Sequence, residues 1–309
     1  MKKIDLQGHR GARGLMPENT LAAFARAMEI GVHTLELDCA MTRDGVLVTS
    51  HDLRLNPDLT RFEDQWLDTL GPAIFSLDYE KLCSYDVGAM RPESGYAERF
   101  PAQTAMRDVR IPRLREAFEL AERYNASTLR FNIETKIHPL QPHLSPPADA
   151  FAGALIAEIR AANLQNRSSI QSFDWRTLAI VQAQAPEIET VYLSVQQSGE
   201  DTIGTASKTG SPWTNRIRYL EHGSVPRMVH AAGGRIWSPH HSDLNADSLN
   251  EAHGLGIRVI PWTVNNEADM RALIELGVDG LISDYPNRLR NVAGSMDCEL
   301  PPQYAKPAN

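Results

Sequence analysis

The chain has 309 residues, 42% hydrophobic and 23% charged, the composition of a folded protein with a sizeable core rather than of a disordered one. Its 39 acidic and 31 basic residues leave a formal net charge of -8, which repels phosphate polymers at long range and makes nucleic acid a poor candidate partner. No apolar run approaches the roughly 18 residues of a membrane span, so stable membrane insertion is not expected.

In chain order, Met1-Lys2-Lys3-Ile4-Asp5 has the charge of a secretory leader but no apolar stretch behind it, and a cytoplasmic protein is expected. The cysteines Cys39, Cys83 and Cys298 form neither a CxxC pair nor a disulfide framework. A strand is predicted over residues 4–8. Asn19-Thr20 can then cap a helix whose Leu21, Phe24, Ala25 and Met28 share one face. A second strand follows at 34–39, then a short alternating run at 45–50. Residues 53–110 hold Pro, Asp and aromatic side chains without a sustained period. A structureless loop that long is uncommon in a compact domain, so a small inserted subdomain is expected. Beyond it, strand patterns at 128–134, 168–173, 190–195, 234–238, 258–264 and 280–283 interleave with helical patterns at 114–124, 148–162, 176–185, 248–254 and 267–276. Eight strands, most followed by a helix, predict one α/β domain over residues 1–309, a TIM (β/α)8 barrel with a small insertion after the second strand. The stretch 195–223, which carries Trp213 and Tyr219, follows the fifth strand and is expected over the mouth of the barrel. The Pro-rich tail from Pro301 is expected to be loose.

Glu36 and Asp38 lie two apart in a strand pattern and so share a face, while Leu35 and Leu37 share the other. In a barrel the leucines meet the outer helices and the carboxylates meet the interior. Two buried anions side by side repel, and a bound cation is the simple remedy. The same alternation sets Asn132, Glu134 and Lys136 on one face, opposite Phe131 and Ile133. Glu134 is then a candidate third ligand, and Lys136 a candidate partner for an anionic oxygen. Carboxylates without cysteine suit a hard divalent cation, Mg²⁺ or Ca²⁺. The plainer alternatives are a strand with one exposed polar face and a solvated Glu–Lys pair. His9-Arg10-Gly11 directly follows the first strand, and His51-Asp52 follows the run at 45–50. Two imidazoles beside clustered acids suit proton exchange near neutrality, and Arg10 offers a fork of donors to phosphate oxygens. Gly11 and Gly14 let the chain turn away sharply.

The run His9-Arg10-Gly11, Pro17-Glu18-Asn19-Thr20, Ala23-Phe24, Gly31, Glu36-Leu37-Asp38, Thr42, Asp44-Gly45 and His51-Asp52 resembles the N-terminal signature of the glycerophosphodiester phosphodiesterase family. Asn132-Ile133-Glu134-Thr135-Lys136 resembles that family's second motif. Gln171-Ser172-Phe173, Trp262-Thr263-Val264-Asn265, Gly277-Val278-Asp279-Gly280 and Asp284-Tyr285-Pro286 resemble its later ones, in order. Thr135 stands where Leu is more usual, and Arg113 where Thr is common. The resemblance implies a TIM barrel with a small insertion and a divalent metal on Glu36, Asp38 and Glu134. It implies His9 and His51 as an acid–base pair, without fixing which is which, and Arg10 and Lys136 at the phosphate. Gln171 and Trp262 are further substrate-binding candidates, although Trp262 reads equally well as a core aromatic. The implied partner is a small glycerophosphodiester, such as glycerophosphocholine or glycerophosphoethanolamine, cleaved to glycerol 3-phosphate and an alcohol. The rival readings are a barrel lyase of the enolase type, a barrel phosphodiesterase of the phospholipase type and a non-catalytic head-group binder.

Overall fold

The computed structural model describes residues 2–306. Eight parallel strands form the frame: β1 (Asp5–Gly8), β2 (Thr34–Met41), β3 (Arg130–Thr135), β4 (Ser168–Ser172), β5 (Glu189–Ser194), β6 (Ile236–Pro239), β7 (Arg258–Val259) and β8 (Gly280–Ser283). They pair in the order β7-β6-β5-β4-β3-β2-β1-β8. The ring closes through backbone bonds from Asp279 N to Val259 O, Ile282 N to Pro261 O and Val264 N to Ile282 O. The expected TIM barrel is therefore present. β7 is shorter than the predicted 258–264, because Pro261 has no N–H to continue the ladder.

Outward residues such as Leu35, Leu37, Phe131, Ile133 and Ile170 pack against the helices in the main core. The interior is divided. Val191, Ile236, Ile260 and Ile282 fill one side with hydrocarbon. On the other, Asn132 donates to Gln7 Oε1 (3.1 Å) and to Gln171 Oε1 (2.9 Å), and accepts from Ser169 Oγ (2.9 Å). These buried amides satisfy one another and define a polar half beneath the mouth.

Thr20 caps the first helix, Leu21–Ile30, by accepting from Ala23 N, as the sequence predicts. Helices Val225–Ala231 and Pro286–Ser295 were not expected. Each holds its proline in the first turn, where a missing N–H costs nothing; reading proline as a breaker hides them.

Within residues 53–110, strands Gln65–Trp66, Arg61–Phe62 and Tyr85–Asp86 make a small antiparallel sheet in that order. Its core joins Leu55, Ile74, Leu82 and Tyr85 to Ala40, Val48 and Ile111. The tail is anchored over part of its length, contrary to expectation: Tyr304 N donates to Met28 O, and its hydroxyl lies 2.8 Å from Thr128 Oγ1. The tail expectation also covers residues 307–309, which lie outside the described residues. No helix among the described residues is long and apolar enough to cross a membrane.

Candidate active site

Three local devices bring the polar residues together at the carboxyl ends of the strands. β2 and β3 run in register with Asp38 beside Glu134, and Glu134 in turn beside Gln171 of β4. A short antiparallel strand, Leu47–Thr49, folds back on the end of β2. Ser50 N then bonds to Asp38 O (3.1 Å), which returns His51 to the mouth. After β1 the chain turns through Arg10 and Gly11, both with left-handed φ. Gly11 is required there: a Cβ would lie 2.6 Å from the Ala23 carbonyl carbon. The turn aims Arg10 N at Glu36 Oε2 (2.9 Å).

Glu36, Asp38 and Glu134 are buried and present carboxylate oxygens within 4.8 Å of one another. Gln171 Nε2 donates to Glu36 Oε1 (2.6 Å). Asn19 Nδ2 donates to Asp38 Oδ2 (2.8 Å), and Asn19 Oδ1 accepts from Asp38 N (3.1 Å). Lys136 Nζ lies 2.7 Å from Glu134 Oε1 and 3.7 Å from Asp38 Oδ1. Arg10 Nε lies 3.2 Å from Asp38 Oδ2, and its Nη1 donates to Glu18 Oε1 (2.7 Å). Four carboxylates thus face two cations in this cluster, leaving two negative charges.

The electrostatics show that surplus. Burial, with repulsion from Asp38, pushes Glu36 well above the usual carboxylate range. Burial, with the same repulsion and against the pull of Lys136, pushes Glu134 up to about 7. Burial works against ionisation of Asp38 too, but Arg10 and Lys136 hold it well below that range. Three adjacent carboxylates cannot all ionise without further positive charge. Asp38 Oδ1 is buried with no hydrogen-bond donor. An all-oxygen donor set with an orphaned acceptor and a deficit of positive charge fits a hard divalent cation.

His9 and His51 both line a cavity of about 130 Å³, together with Arg10, Glu36, Glu134, Gln171 and Trp262. Each imidazole is backed by a carboxylate. His9 Nδ1 lies 2.6 Å from Asp284 Oδ1, and His51 Nδ1 lies 2.7 Å from Asp52 Oδ1. A carboxylate only accepts, so both rings carry the proton on Nδ1 and leave Nε2 unprotonated. His9 Nε2 is 3.9 Å from Glu36 Oε2. Asp284 is held in turn by Arg13 Nε (2.7 Å), Arg13 Nη2 (3.0 Å) and Asn265 Nδ2 (2.6 Å), and Asp52 by Asn56 Nδ2 (2.8 Å).

Burial, then the charge of Arg13, lowers His9 to about 4 against the pull of Asp284. His51 is also lowered, by burial first and then by Arg10 and Lys136, although its side chain is one-third exposed at the rim. Both rings are therefore neutral at pH 7. The unfolded chain protonates His9 near the ordinary 6.5 and the folded chain only near 4, so stability falls as pH drops through that window. In chelator, the wild type is expected to lose on the order of 1–2 kcal/mol more than a His9→Asn variant between about pH 7 and about pH 5. Urea unfolding at the two pH values measures this; equal losses would contradict it.

The remaining predicted residues take these places. Trp262 lines the cavity and donates its indole N–H to Ser238 O (2.9 Å). Its ring stands nearly perpendicular to Phe173, at 5.4 Å. Trp213, from the stretch after β5, packs edge-on against Phe173 (6.3 Å) and His138 (4.7 Å), which brings that stretch to the wall of the mouth. Gln171 lines the cavity and bonds to Glu36 and Asn132, and Lys136 pairs with Glu134 and Asp38. Sequence reasoning missed the backing of the imidazoles. Asp284 follows β8 as His9 follows β1, and that shared position at a strand end is a usable signal. Arg13 gave no local signal, since its partner is 271 positions away.

Acids and imidazoles gathered at the carboxyl ends of the strands are the layout of a barrel enzyme. The family model "Glycerophosphoryl diester phosphodiesterase family" matches residues 9–288. A glycerophosphodiester phosphodiesterase of Caldanaerobacter subterraneus subsp. tengcongensis is 30% identical over 287 residues, covering 92% of this chain and 95% of its own. A crystal structure from Silicibacter pomeroyi DSS-3, named for a glycerophosphoryl diester phosphodiesterase, is 33% identical with a TM-score of 0.84, covering 95% of this chain and 94% of that one. An Oleispira antarctica phosphodiesterase, solved with the product sn-glycerol-3-phosphate, shares the fold at 22% identity and a TM-score of 0.68, covering 94% and 97%. The chain belongs to the glycerophosphoryl diester phosphodiesterase family.

Proposed function

We propose that this protein hydrolyses small glycerophosphodiesters, of the glycerophosphocholine or glycerophosphoethanolamine type, to glycerol 3-phosphate and the free alcohol, with a divalent cation held by Glu36, Asp38 and Glu134. The observation that carries this reading is the convergence of Glu36 and Glu134 with His9 and His51 on one cavity, with Asp38 buried against the two acids. The product bound to the Oleispira relative supports it. The cation, Mg²⁺ or Ca²⁺, would offset charge building on the phosphoryl oxygens in the transition state.

The protein's own groups do the rest. Arg10 and Lys136 supply positive charge to the phosphate from one side. Gln171 and Asn19 fix the carboxylate rotamers, so the acids are set before substrate arrives. One imidazole, using its free Nε2, takes the proton of the nucleophile, which is water or the neighbouring glycerol hydroxyl; the hydroxyl would give a cyclic phosphate that water then opens to glycerol 3-phosphate. The other, which takes up a proton on its own Nε2 once the anionic diester is bound beside it, delivers that proton to the departing alcohol. Asp284 and Asp52 each hold Nδ1–H, so Nε2 faces the substrate whether or not it carries a proton. Phe173 and Trp262, with the hydrocarbon side of the interior behind them, shield the reacting bond from bulk water. We place the reaction in the cytoplasm within this single barrel domain; the unpaired Cys39, Cys83 and Cys298 suit a reducing compartment.

The test is removal of the ion. After chelation, release of glycerol 3-phosphate from glycerophosphocholine is expected to stop, and to return on adding Mg²⁺ or Ca²⁺. Unchanged release from fully chelated protein would overturn the carboxylate assignment.

A further inference from the structure

We infer that Tyr96, on the inserted segment, is a positioning residue that couples Arg10 to the His9 pair; this rests on the phosphate and proton roles proposed above. The contacts form an unbroken chain. Arg10 Nη1 donates to Glu18 Oε1 (2.7 Å), and the Tyr96 hydroxyl donates to Glu18 Oε2. Arg13 Nη1 donates to that hydroxyl at 3.4 Å. The rest of the Arg13 guanidinium grips both oxygens of Asp284, which meets His9 Nδ1. Tyr96 stands at the centre, accepting from one arginine and donating to the carboxylate that holds the other.

Neighbouring residues of the same segment reinforce the seat. The Arg13 guanidinium carbon lies 4.7 Å from the Phe100 ring centre. Gln103 Nε2 donates to Arg13 O (2.7 Å), and Thr104 N to Leu15 O (2.8 Å). The Tyr96 ring is 8% exposed and packs with Phe100 and Tyr285. The β1 loop that carries Arg10 and Arg13 forms no strand or helix before Leu21, so its long side chains depend on outside contacts for their rotamers. An arginine fixed before substrate arrives loses less side-chain entropy on binding. The insertion thus presets two groups of the proposed site: one for charge, one for protons.

Tyr96→Phe keeps the ring and removes the hydroxyl. For glycerophosphocholine, kcat/KM is expected to fall on the order of tenfold, with KM raised and kcat lowered together. Product inhibition by glycerol 3-phosphate is expected to weaken by a similar factor, with the thermal midpoint little changed. A merely structural role would lower the active fraction, hence kcat, and leave KM and product inhibition where they were. Adding Glu18→Gln to Tyr96→Phe is expected to cost far less than the two single losses multiplied, since both break one chain. Should Tyr96→Phe fold poorly, Phe100→Leu, which weakens only the seat of Arg13, is expected to lower kcat more than it raises KM. Wild-type kcat and KM in Tyr96→Phe, or fully multiplicative losses with Glu18→Gln, would overturn the coupling alone. A wild-type chain that releases no glycerol 3-phosphate would overturn the functional reading and the coupling with it.

Discussion

Alanine at His9 or at His51 is expected to lower kcat on glycerophosphocholine by about 10²–10⁴-fold, with ion affinity little changed. The reason lies in the backing carboxylates. Each ring is pinned through Nδ1, to Asp284 or to Asp52, so its Nε2 is the free nitrogen and the ring stays in one tautomer. Neither ring belongs to the carboxylate cluster, whose three ligand oxygens lie within 4.8 Å of one another. A loss confined to kcat is therefore the signature of a proton-transfer role. Steady-state kinetics at saturating ion and substrate measure it. Near-full turnover by both alanine variants would remove the acid–base assignment, and a loss cured by extra ion would move the histidines into the ion site.

Glu36→Gln is expected to move activity and stability in opposite directions. Activity at a fixed ion concentration is expected to fall by on the order of 10²–10³-fold, because the glutamine amide brings no charge to the ion. The chelated variant, however, is expected to unfold at a higher temperature than the chelated wild type. Burial and the adjacent Asp38 push the Glu36 carboxyl well above its ordinary range, so holding it ionised near neutrality costs folding free energy that a neutral isostere avoids. The glutamine oxygen can still accept from Arg10 N, and its amide nitrogen can donate to Gln171 if that side chain turns its oxygen from Asn132, a bond lost against the relief of charge. Thermal unfolding in chelator, paired with turnover, checks both signs. A variant less stable than wild type under chelation would show that the acids are not held in mutual repulsion.

Much of this architecture is written locally. Alternation in Thr34-Leu35-Glu36-Leu37-Asp38 and Asn132-Ile133-Glu134 separates core from interior before any coordinates exist, and the parallel register then brings Asp38 beside Glu134. His9 and His51 are legible because they follow strand-like runs, although the strand before His51 proves to be a hairpin folded back on β2. What escapes is set by distance along the chain. Asp284 reaches His9 across 275 positions and Gln171 reaches Glu36 across 135. Tyr96 reaches Glu18 from a segment with no period to read. The helices at Val225 and Pro286 escaped for a different reason: their prolines sit where helices tolerate them, and pattern reading weighs proline without its position.

Calorimetric titration of the chelated protein with Mg²⁺ and with Ca²⁺ goes straight to the convergence of the three carboxylates. The account predicts saturable binding of one ion per chain, retained by His9→Ala and abolished when Glu36→Gln, Asp38→Asn and Glu134→Gln are combined. Saturable binding that survives the triple substitution, or none in the wild type with either ion, would contradict it.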